Sequence, residues 1–397
     1  MFKIFEVKPD KNRLIFELKK IGVDDYALSL HEKGEILCLK ILNLTPGQAN
    51  ILKQEALAVG ADVAVAKGAV TCKIEKTDAL LLITKKSIRN LIRKLKLQPF
   101  NLDKLAIELE QLLKQKETSY FVAKDVRLPL DKPYIVGILN VTPDSFSDGG
   151  KYLGEKSIDA RLDYFLENEI KIVDIGGEST RPGAEPVSAK NEIKRIAYAI
   201  KRSLEKGFVV SVDTYKSVVA EFALKEGVHI INDISGFNFD NNMAEVCARY
   251  GCGVCLMHIK GTPKNMQDNP TYNNLLEDIK LYLKKSIDIA LKCGVSKNSI
   301  MLDPGFGFGK TLDDNYLILK YLEEIKTLGY PLFIGVSRKS MIGKIIDKTP
   351  EERDVPSKAI EFLAMIKGAN FIRTHEVKYA KDIAKIAEYY SKVELNA

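Results

Sequence analysis

The chain has 397 residues, 46% of them hydrophobic and 28% charged, with a formal net charge of +7. This length exceeds what one hydrophobic core usually serves, so we expect two domains. The modest charge, spread along the chain, argues against a nucleic-acid partner. No apolar run reaches the roughly 18 residues of a membrane span, and the N-terminus shows no secretory signal, so we expect a cytoplasmic protein.

Residues 1–117 show a mixed pattern of short strands and helices, which predicts a small α+β domain. Lys85 to Lys96 is basic, but its apolar residues recur at helical spacing, so it is interpreted as a helix with a solvated basic face. The first 117 residues contain no catalytic constellation, and a structural or oligomeric role is expected. The predicted strands are 2–6, 13–18, 36–42 and 79–84, and the predicted helices are 46–58 and 102–114.

Within a predicted domain of residues 118–397, short aliphatic runs alternate with longer amphipathic stretches from Tyr134 onward, and the alternation occurs eight times. Eight strand–helix units predict a TIM barrel, (β/α)8, and a doubly wound sheet fits less well. Before them, the alternation at 120–130 predicts a hairpin that plugs the barrel floor. The predicted strands are 135–141, 172–176, 208–213, 229–234, 253–258, 299–303, 331–336 and 371–375, with helices at 188–206, 274–293 and 379–395 among the connections.

Polar residues stand at or just past the C-terminal end of every predicted barrel strand. These ends form one edge of a TIM barrel, here called the rim, and active sites of such barrels lie there. A single Asp after a strand is usually a helix cap or turn residue, but eight in succession indicate a site. The rim residues are Asn140, Asp174, Asp213, Asn232, His258, Asp303, Arg338 with Lys339, and Arg373 with His375.

Cationic side chains on the rim are suited to a pyrophosphate. Arg181, between Thr180 and Pro182, offers a planar cation on a glycine-rich loop. Arg373 and His375 lie two residues apart on the last strand and therefore on one face. They can converge with Asn140 on the anion, and a divalent cation would normally neutralise it.

Other rim residues suit a flat polar heterocycle. Asp213 and Asp303 are carboxylates that can accept two N–H bonds from the edge of a 2-amino-4-oxo-pyrimidine. Asn232 can donate and accept beside them, and Lys339 can reach the ring carbonyl. The sequence thus predicts a site that holds two substrates and stabilises a leaving group.

Two apparent motifs are interpreted as structural. Cys252 and Cys255 form a C-x-x-C pair, but they lie in a predicted strand, where residues three apart point to opposite faces, so buried thiols are expected. The segment ending Gly309-Lys310-Thr311 looks like a Walker A loop. That motif requires glycine at position 304, which is Pro304 here.

Several segments in order along the chain resemble those of the dihydropteroate synthases, a family of pterin-binding TIM barrels in folate synthesis. The resemblance covers about three-fifths of the chain, from Tyr134 to Val377. Val355-Pro-Ser-Lys358 departs from the Gly-Ser or Gly-Thr pair that the family tends to show. The matching segments are Gly137 to Gly150, Asp174 to Gly183, Ser211 to Thr214, Asn232-Asp233, Asp303 to Lys310, Ser337 to Ser340 and Arg373 to His375.

This resemblance implies a transferase that condenses 6-hydroxymethyl-7,8-dihydropterin pyrophosphate with 4-aminobenzoate, giving 7,8-dihydropteroate and pyrophosphate. It also implies Mg²⁺ as cofactor, with Asn140 as metal ligand, and a homodimer. The pterin would be held by Asp213, Asn232, Asp303 and Lys339, and pyrophosphate by Asn140, Arg181, Arg373 and His375. Thr180, Pro182, Phe308 and Ser340 would line the aminobenzoate pocket, Phe146 and Asp148 would close over it, and Asp174 would support the site.

Two alternatives share the pterin site. A methyltetrahydrofolate:corrinoid methyltransferase would need the pterin-binding Asp and Asn residues but not Arg181, Arg373 and His375. A non-enzymatic pterin-binding protein would not need the first two rim loops.

Overall fold

A computed structural model describes residues 3–114, 117–141, 151–181 and 183–393. These residues form two compact units: one lies before residue 117 and the other is Glu117–Lys392. None of the helices among these residues combines the length and apolar content that crossing a membrane requires.

The first unit is an antiparallel three-stranded sheet, in the order β1-β3-β2, with helices. Its strands are β1 Ile36–Leu44, β2 Asp62–Val65 and β3 Thr77–Thr84, and a 3₁₀ helix covers Asp25–Leu30. Its helices are α1 Lys11–Ile21, α2 His31–Gly34, α3 Pro46–Leu57, α4 Lys67–Val70, α5 Lys85–Leu95 and α6 Leu102–Lys114. The α+β prediction for this region is therefore confirmed.

Two predicted strands in this unit are wrong. Residues 13–18 belong to α1, because the Asp10 side chain caps the helix by accepting from Arg13 N at 3.0 Å and Gly22 ends it in the left-handed conformation. These end signals override the β preference of the apolar residues between them. Residues 3–6 form no strand either, and β2 was not predicted.

The basic stretch is the helix that the pattern predicted. In α5 the apolar residues Ile88, Leu91, Ile92 and Leu95 are buried against the sheet. Its cations lie on the outer face, where Lys94 pairs with Glu55 at 2.7 Å. The basic residues therefore serve as the solvated face of an amphipathic helix.

The second unit is a closed barrel of eight parallel strands, as predicted. The strands are β6 Tyr134–Asn140, β7 Ile172–Gly176, β8 Val209–Asp213, β9 Ile230–Asp233, β10 Gly253–Met257, β11 Ile300–Asp303, β12 Leu332–Ile334 and β13 Ala369–Thr374. The helices are α7 Lys151–Glu167, α8 Ala189–Glu205, α9 Ser217–Lys225, α10 Met243–Tyr250, α11 Leu275–Lys292, α12 Leu312–Lys320, α13 Leu322–Lys326, α14 Ser340–Ile346, α15 Asp354–Ile366 and α16 Val377–Lys392. Short 3₁₀ helices cover Lys297–Ser299 and Pro350–Arg353.

A hairpin closes the floor of the barrel, which confirms the prediction for residues 120–130. Its strands are β4 Tyr120–Ala123 and β5 Val126–Pro129. Phe121 is fully buried in the barrel interior, 5.4 Å from the Phe371 ring between centroids. A Cβ at position 253 would stand 2.5 Å from the Phe121 ring, so the first residue of β10 must be glycine.

The two cysteines of the C-x-x-C pair are buried and free. Cys252 packs in the core between the barrel and its helices, whereas Cys255 lies in the barrel interior. Burial raises the pKa of the Cys255 thiol well above its usual range. The pair therefore behaves as two separate apolar side chains.

Candidate active site

Strand register brings four rim residues side by side. Asn140 pairs with Gly176, Gly176 with Asp213, and Asp213 with Asn232. A Cβ at position 176 would lie 3.1 Å from Asn140 Oδ1, so the glycine leaves room for the amide to extend toward Asp213. The predicted metal ligand and the predicted pterin residues are thus neighbours on one edge.

Asp174 fixes several neighbouring side chains by hydrogen bonds. Its buried carboxylate accepts from Ser211 Oγ at 2.6 Å, Asn232 Nδ2 at 3.3 Å and Arg373 Nε at 2.5 Å. These bonds fix the orientation of the Asn232 amide and of the Arg373 guanidinium. This geometry fits the supporting role that the resemblance implied for Asp174.

Arg373 also bridges to the predicted pterin site. Its Nη2 donates to Asp213 Oδ2 at 3.2 Å. Burial raises the pKa of Asp213 to about 7, and Arg373 opposes that rise. The Arg373 guanidinium therefore connects Asp213, which is expected to bind the pterin, to the residues expected to bind pyrophosphate.

Asp303 and Lys339 form the opposite side of the site. Asp303 Oδ1 accepts from Gly305 N at 2.6 Å, which leaves the rest of the carboxylate for a ligand. Burial raises the pKa of Asp303 to about 6 and lowers that of Lys339 to about 8, and their mutual attraction opposes both shifts. Lys339 Nζ donates to the Phe306 carbonyl and lies 4.5 Å from the centroid of the Phe308 ring.

His375 stands next to Arg373 at the end of β13, where burial disfavours protonation of its ring. Its Nδ1 lies 3.0 Å from Ser337 Oγ, and the same hydroxyl accepts from His375 N at 3.1 Å. Burial and the nearby Arg373 lower the pKa of His375 to about 3. The structure thus brings together Asn140, Asp213, Asn232, Asp303, Lys339, Arg373 and His375 on one rim.

Arg338 differs from its neighbour Lys339. Its Nε and Nη2 each lie 2.7 Å from the Asp354 carboxylate, in a bidentate pair, and its backbone N donates to Ser357 Oγ at 3.0 Å. Arg338 therefore ties the loop after β12 to the start of α15. Ser357, in the segment that departs from the family pattern, makes this anchor.

The second rim loop is held at its base by residues that sequence reasoning missed. Glu178 accepts from Tyr215 Oη at 2.7 Å, Val187 N at 3.2 Å and Lys216 Nζ, and Lys216 also pairs with Glu192. Farther along the same loop, Arg181 is exposed and Thr180 is partly buried. The predicted site residues Phe146, Asp148 and Pro182 lie outside the described residues.

Lys310 is a second residue whose role was missed. Its Nζ is buried 2.9 Å from His258 Nδ1 and donates to the Phe308 carbonyl at 3.0 Å. Burial lowers the pKa of Lys310 to about 7 and that of His258 to about 2. Lys310 thus holds the loop after β11 in place. The sequence signal that could have predicted this role is the glycine-rich run from Asp303 that ends in Lys310.

One further loop contact is enforced by glycine. At Gly305, with φ +71°, a Cβ would come 1.9 Å from the His258 carbonyl oxygen, so no other residue fits. Two other residues predicted to line the aminobenzoate pocket differ from each other in exposure. Phe308 is partly buried, and Ser340 is exposed at the start of α14.

Comparisons with known proteins identify the family and the fold of the second unit. The family model described as "Pterin binding enzyme" matches residues 136–375. The dihydropteroate synthase of Clostridium beijerinckii is 45% identical over 263 residues, which cover 65% of this chain and 94% of that protein. Among solved structures, Yersinia pestis dihydropteroate synthase with a sulfonamide drug complex has 39% identity and a TM-score of 0.65, covering 69% of this chain and 100% of that one. The Xanthomonas albilineans enzyme with 4-aminobenzoic acid has 34% identity and a TM-score of 0.65, covering 70% and 99%.

Proposed function

The chain belongs to the pterin-binding enzymes, in the dihydropteroate synthase family, and on that premise we propose how its rim residues share the work. The reaction joins 6-hydroxymethyl-7,8-dihydropterin pyrophosphate to 4-aminobenzoate and releases pyrophosphate, forming 7,8-dihydropteroate. The observation that carries the proposal is the Asp174–Arg373–Asp213 bridge, which links a heterocycle site to an anion site.

The pterin is bound by Asp213, Asn232, Asp303 and Lys339. The two aspartates are desolvated carboxylates whose pKa values burial raises, so ring N–H donors that replace lost water stabilise their ionised forms. Asn232, oriented by Asp174, supplies both an acceptor and a donor beside them. Lys339 faces Asp303 and reaches the carbonyl side of the ring.

The pyrophosphate is bound by Arg373, His375 and Arg181. Arg373 Nε and Nη2 are held by carboxylates, so Nη1 is the nitrogen directed to a phosphate oxygen. A guanidinium fixed in this way needs little reorganisation as charge develops on the leaving group. Arg181, on the exposed part of the second loop, adds a cation when the substrate is present.

A magnesium ion fits Asn140 as a protein ligand. The amide oxygen lies at the rim over Gly176, and Mg²⁺ commonly takes one or two protein oxygens together with water and substrate phosphates. Within the described residues, no group of three or more His, Cys, Asp or Glu side chains could hold a metal without substrate. Bound there, the ion would neutralise charge on the departing pyrophosphate.

We assign the second substrate to a pocket beside the second rim loop and the loop after β11, lined by Thr180, Phe308 and Ser340. The resemblance adds Pro182, Phe146 and Asp148, which lie outside the described residues. The nucleophile is the neutral arylamine, which attacks the methylene carbon as the C–O bond to pyrophosphate breaks, and the amine then loses a proton to solvent. Excluding water until the amine has bound prevents hydrolysis of the cation-like methylene.

We further propose that the two units are separate domains and that the protein is a cytoplasmic homodimer. The boundary near residue 117 and the resemblance support these statements. Light scattering at micromolar concentration should give twice the mass of one chain, and the mass of a single chain would refute the dimer.

Calorimetry with pyrophosphate and Mg²⁺ tests the proposed division of roles. The wild type should bind pyrophosphate at least about 10-fold more tightly with Mg²⁺ than without it, since the ion neutralises buried charge. Asn140→Ala should lose this enhancement and keep its affinity for free pterin. An enhancement that survives in Asn140→Ala would remove Asn140 as the metal ligand.

A further inference from the structure

A chain of buried polar side chains lies behind His375 and runs from α15 to the rim. Lys358 and Glu361 are one turn apart on α15 and are 4% and 0% exposed, and Thr374 beside them on β13 is 0% exposed. Lys358 Nζ contacts Glu361 Oε2 at 2.9 Å, Glu361 Oε1 at 3.1 Å and Thr374 Oγ1 at 2.7 Å. Burying an ion pair gives little stability over an apolar core, so this network invites a functional explanation.

The network continues to the imidazole through two hydroxyls. Thr374 Oγ1 lies 2.8 Å from Glu361 Oε1 and 3.3 Å from Ser337 Oγ. Ser337 Oγ lies 3.0 Å from His375 Nδ1 and accepts from His375 N at 3.1 Å. The contacts therefore form one continuous line from Nδ1 to a carboxylate.

Counting protons gives this line a direction. Lys358 donates all three of its hydrogens, to Glu361 twice and to Thr374 once, so Glu361 is an ionised acceptor. A hydroxyl 2.8 Å from a carboxylate oxygen must place its hydrogen between them, so Thr374 donates to Glu361. Thr374 can then only accept from Ser337, and Ser337 can only accept from Nδ1.

The opposite direction leaves a contact unsatisfied. If Ser337 donated to Nδ1, its oxygen and that of Thr374 would face each other at 3.3 Å with no hydrogen between them. In the first direction each hydroxyl donates once and accepts twice, and every short contact contains a hydrogen. Buried polar groups strongly favour such complete satisfaction.

We propose that Lys358, Glu361, Thr374 and Ser337 are positioning residues that hold His375 with its proton on Nδ1 and leave Nε2 open for the pyrophosphate. When the anion binds, Nε2 takes a proton from solvent, and the imidazolium donates from Nε2 to phosphate while Nδ1–H stays on Ser337. The second half of this statement rests on the anion site proposed above. The charged groups around the ring are Arg373, Arg338, Arg161 and Asp354. Burial and the three arginines lower the pKa of His375, and Asp354 opposes them, so the ring is mainly neutral before the anion arrives.

Histidine ¹⁵N NMR distinguishes the two tautomers directly. The chain has only four histidines, so few signals need to be assigned. Two of the others provide internal references. His229 Nδ1 accepts from Val210 N at 3.1 Å and His258 Nδ1 faces the Lys310 amine at 2.9 Å, so both should carry the proton on Nε2. His31 is not used as a tautomer reference, because its Nδ1 lies 2.8 Å from the Leu28 carbonyl while its Nε2 lies 3.6 Å from Glu35 Oε1, so both nitrogens have an acceptor.

In ¹⁵N-histidine-labelled full-length protein at pH 7, His375 should show the Nδ1–H pattern, opposite to that of His229 and His258, with assignment by His375→Gln. Ser337→Ala and Thr374→Val should shift it toward the Nε2–H pattern, and Thr374→Ser should keep it. Their matched controls are Ser203→Ala and Thr118→Val, which remove buried hydroxyls that have no partner among the described residues. An Nε2–H pattern in the wild type, or a pattern that neither variant changes, would overturn the relay.

Kinetics and ligand titration complete the test. Loss of one oriented hydrogen bond should lower kcat/KM for the pterin pyrophosphate about 10-fold in Ser337→Ala and leave free-pterin affinity within about 2-fold. Adding pyrophosphate with Mg²⁺ should convert His375 to the doubly protonated form. If His375 shows the Nδ1–H pattern but does not become doubly protonated when pyrophosphate is added, its place in the anion site is refuted. An Nε2–H pattern in the free protein would refute the relay itself.

Discussion

Replacing Asp303 by asparagine should weaken binding of free 6-hydroxymethyl-7,8-dihydropterin by about 1.5–3 kcal/mol, the range for a hydrogen bond to a charged group. Asp303 is 6% exposed, and its Oδ1 accepts from Gly305 N at 2.6 Å. An asparagine oxygen can keep that bond, but its NH₂ group would then face the ring N–H donors. The dissociation constant should rise about 13- to 160-fold.

Calorimetry with free pterin at pH 7.5 measures this change. The matched control is Asp313→Asn, which makes the same substitution on the exposed first turn of α12 and should leave affinity unchanged. Wild-type affinity in Asp303→Asn would show that Asp303 does not accept from the ring, and the assignment of the pterin site would fail.

Asp303→Asn should also become more stable relative to the wild type as the pH rises. Burial raises the pKa of Asp303 from 3.8 to about 6, so the folded protein retains a proton that the unfolded chain releases. Ionisation of Asp303 therefore destabilises the fold as the pH rises from about 4 to 6. Asp303→Asn cannot ionise, so its Tm relative to wild type should increase across this interval in thermal scans. A constant difference would contradict the raised pKa.

Three further predictions concern the rim cations, the first unit and the cysteines. Arg181→Ala should raise KM for the pterin pyrophosphate about 10-fold and spare free-pterin binding, whereas Arg373→Ala should weaken both, because Arg373 pairs with Asp213; equal effects in the two variants would refute this contrast. Deleting residues 1–116 should leave kcat for pyrophosphate release within about 2-fold, since the described rim residues all lie in the second unit. Loss of activity in a folded truncation would assign the first unit a catalytic role. A thiol reagent should label the exposed Cys38 and Cys72 rapidly without loss of activity, the partly buried Cys293 more slowly, and the buried Cys247, Cys252 and Cys255 only on unfolding; labelling of a fourth thiol in folded protein would contradict the burial.

The barrel and most of its rim could be predicted because their signals are local. Each strand is an apolar run with a polar residue at its end, and parallel strands place all those ends together. The rim positions of Asn140, Asp213, Asn232 and Asp303 were predicted in this way. Residues 13–18 show the limit of such patterns, since the Asp10 cap and Gly22 stop decided for a helix against the β preference of the segment.

Partnerships between distant residues could not be predicted. The position of Arg373 on the last strand suggested a group devoted to pyrophosphate, but its bonds to Asp174 and Asp213 also connect it to the proposed pterin site. Lys358 and Glu361 have the spacing of an ordinary surface ion pair on a helix, and only the packing of α15 against β13 shows that they are buried behind His375. Periodicity identifies which face of an element is buried but not which side chains meet there.

Release of pyrophosphate with and without 4-aminobenzoate tests the central claim most directly. Purified protein with 6-hydroxymethyl-7,8-dihydropterin pyrophosphate and Mg²⁺ should release pyrophosphate rapidly only when the amine is present, in a 1:1 ratio to 7,8-dihydropteroate. Release that does not depend on the amine, or no release at all, would contradict a rim that holds both substrates for condensation. The second outcome would favour a pterin-binding barrel of another kind.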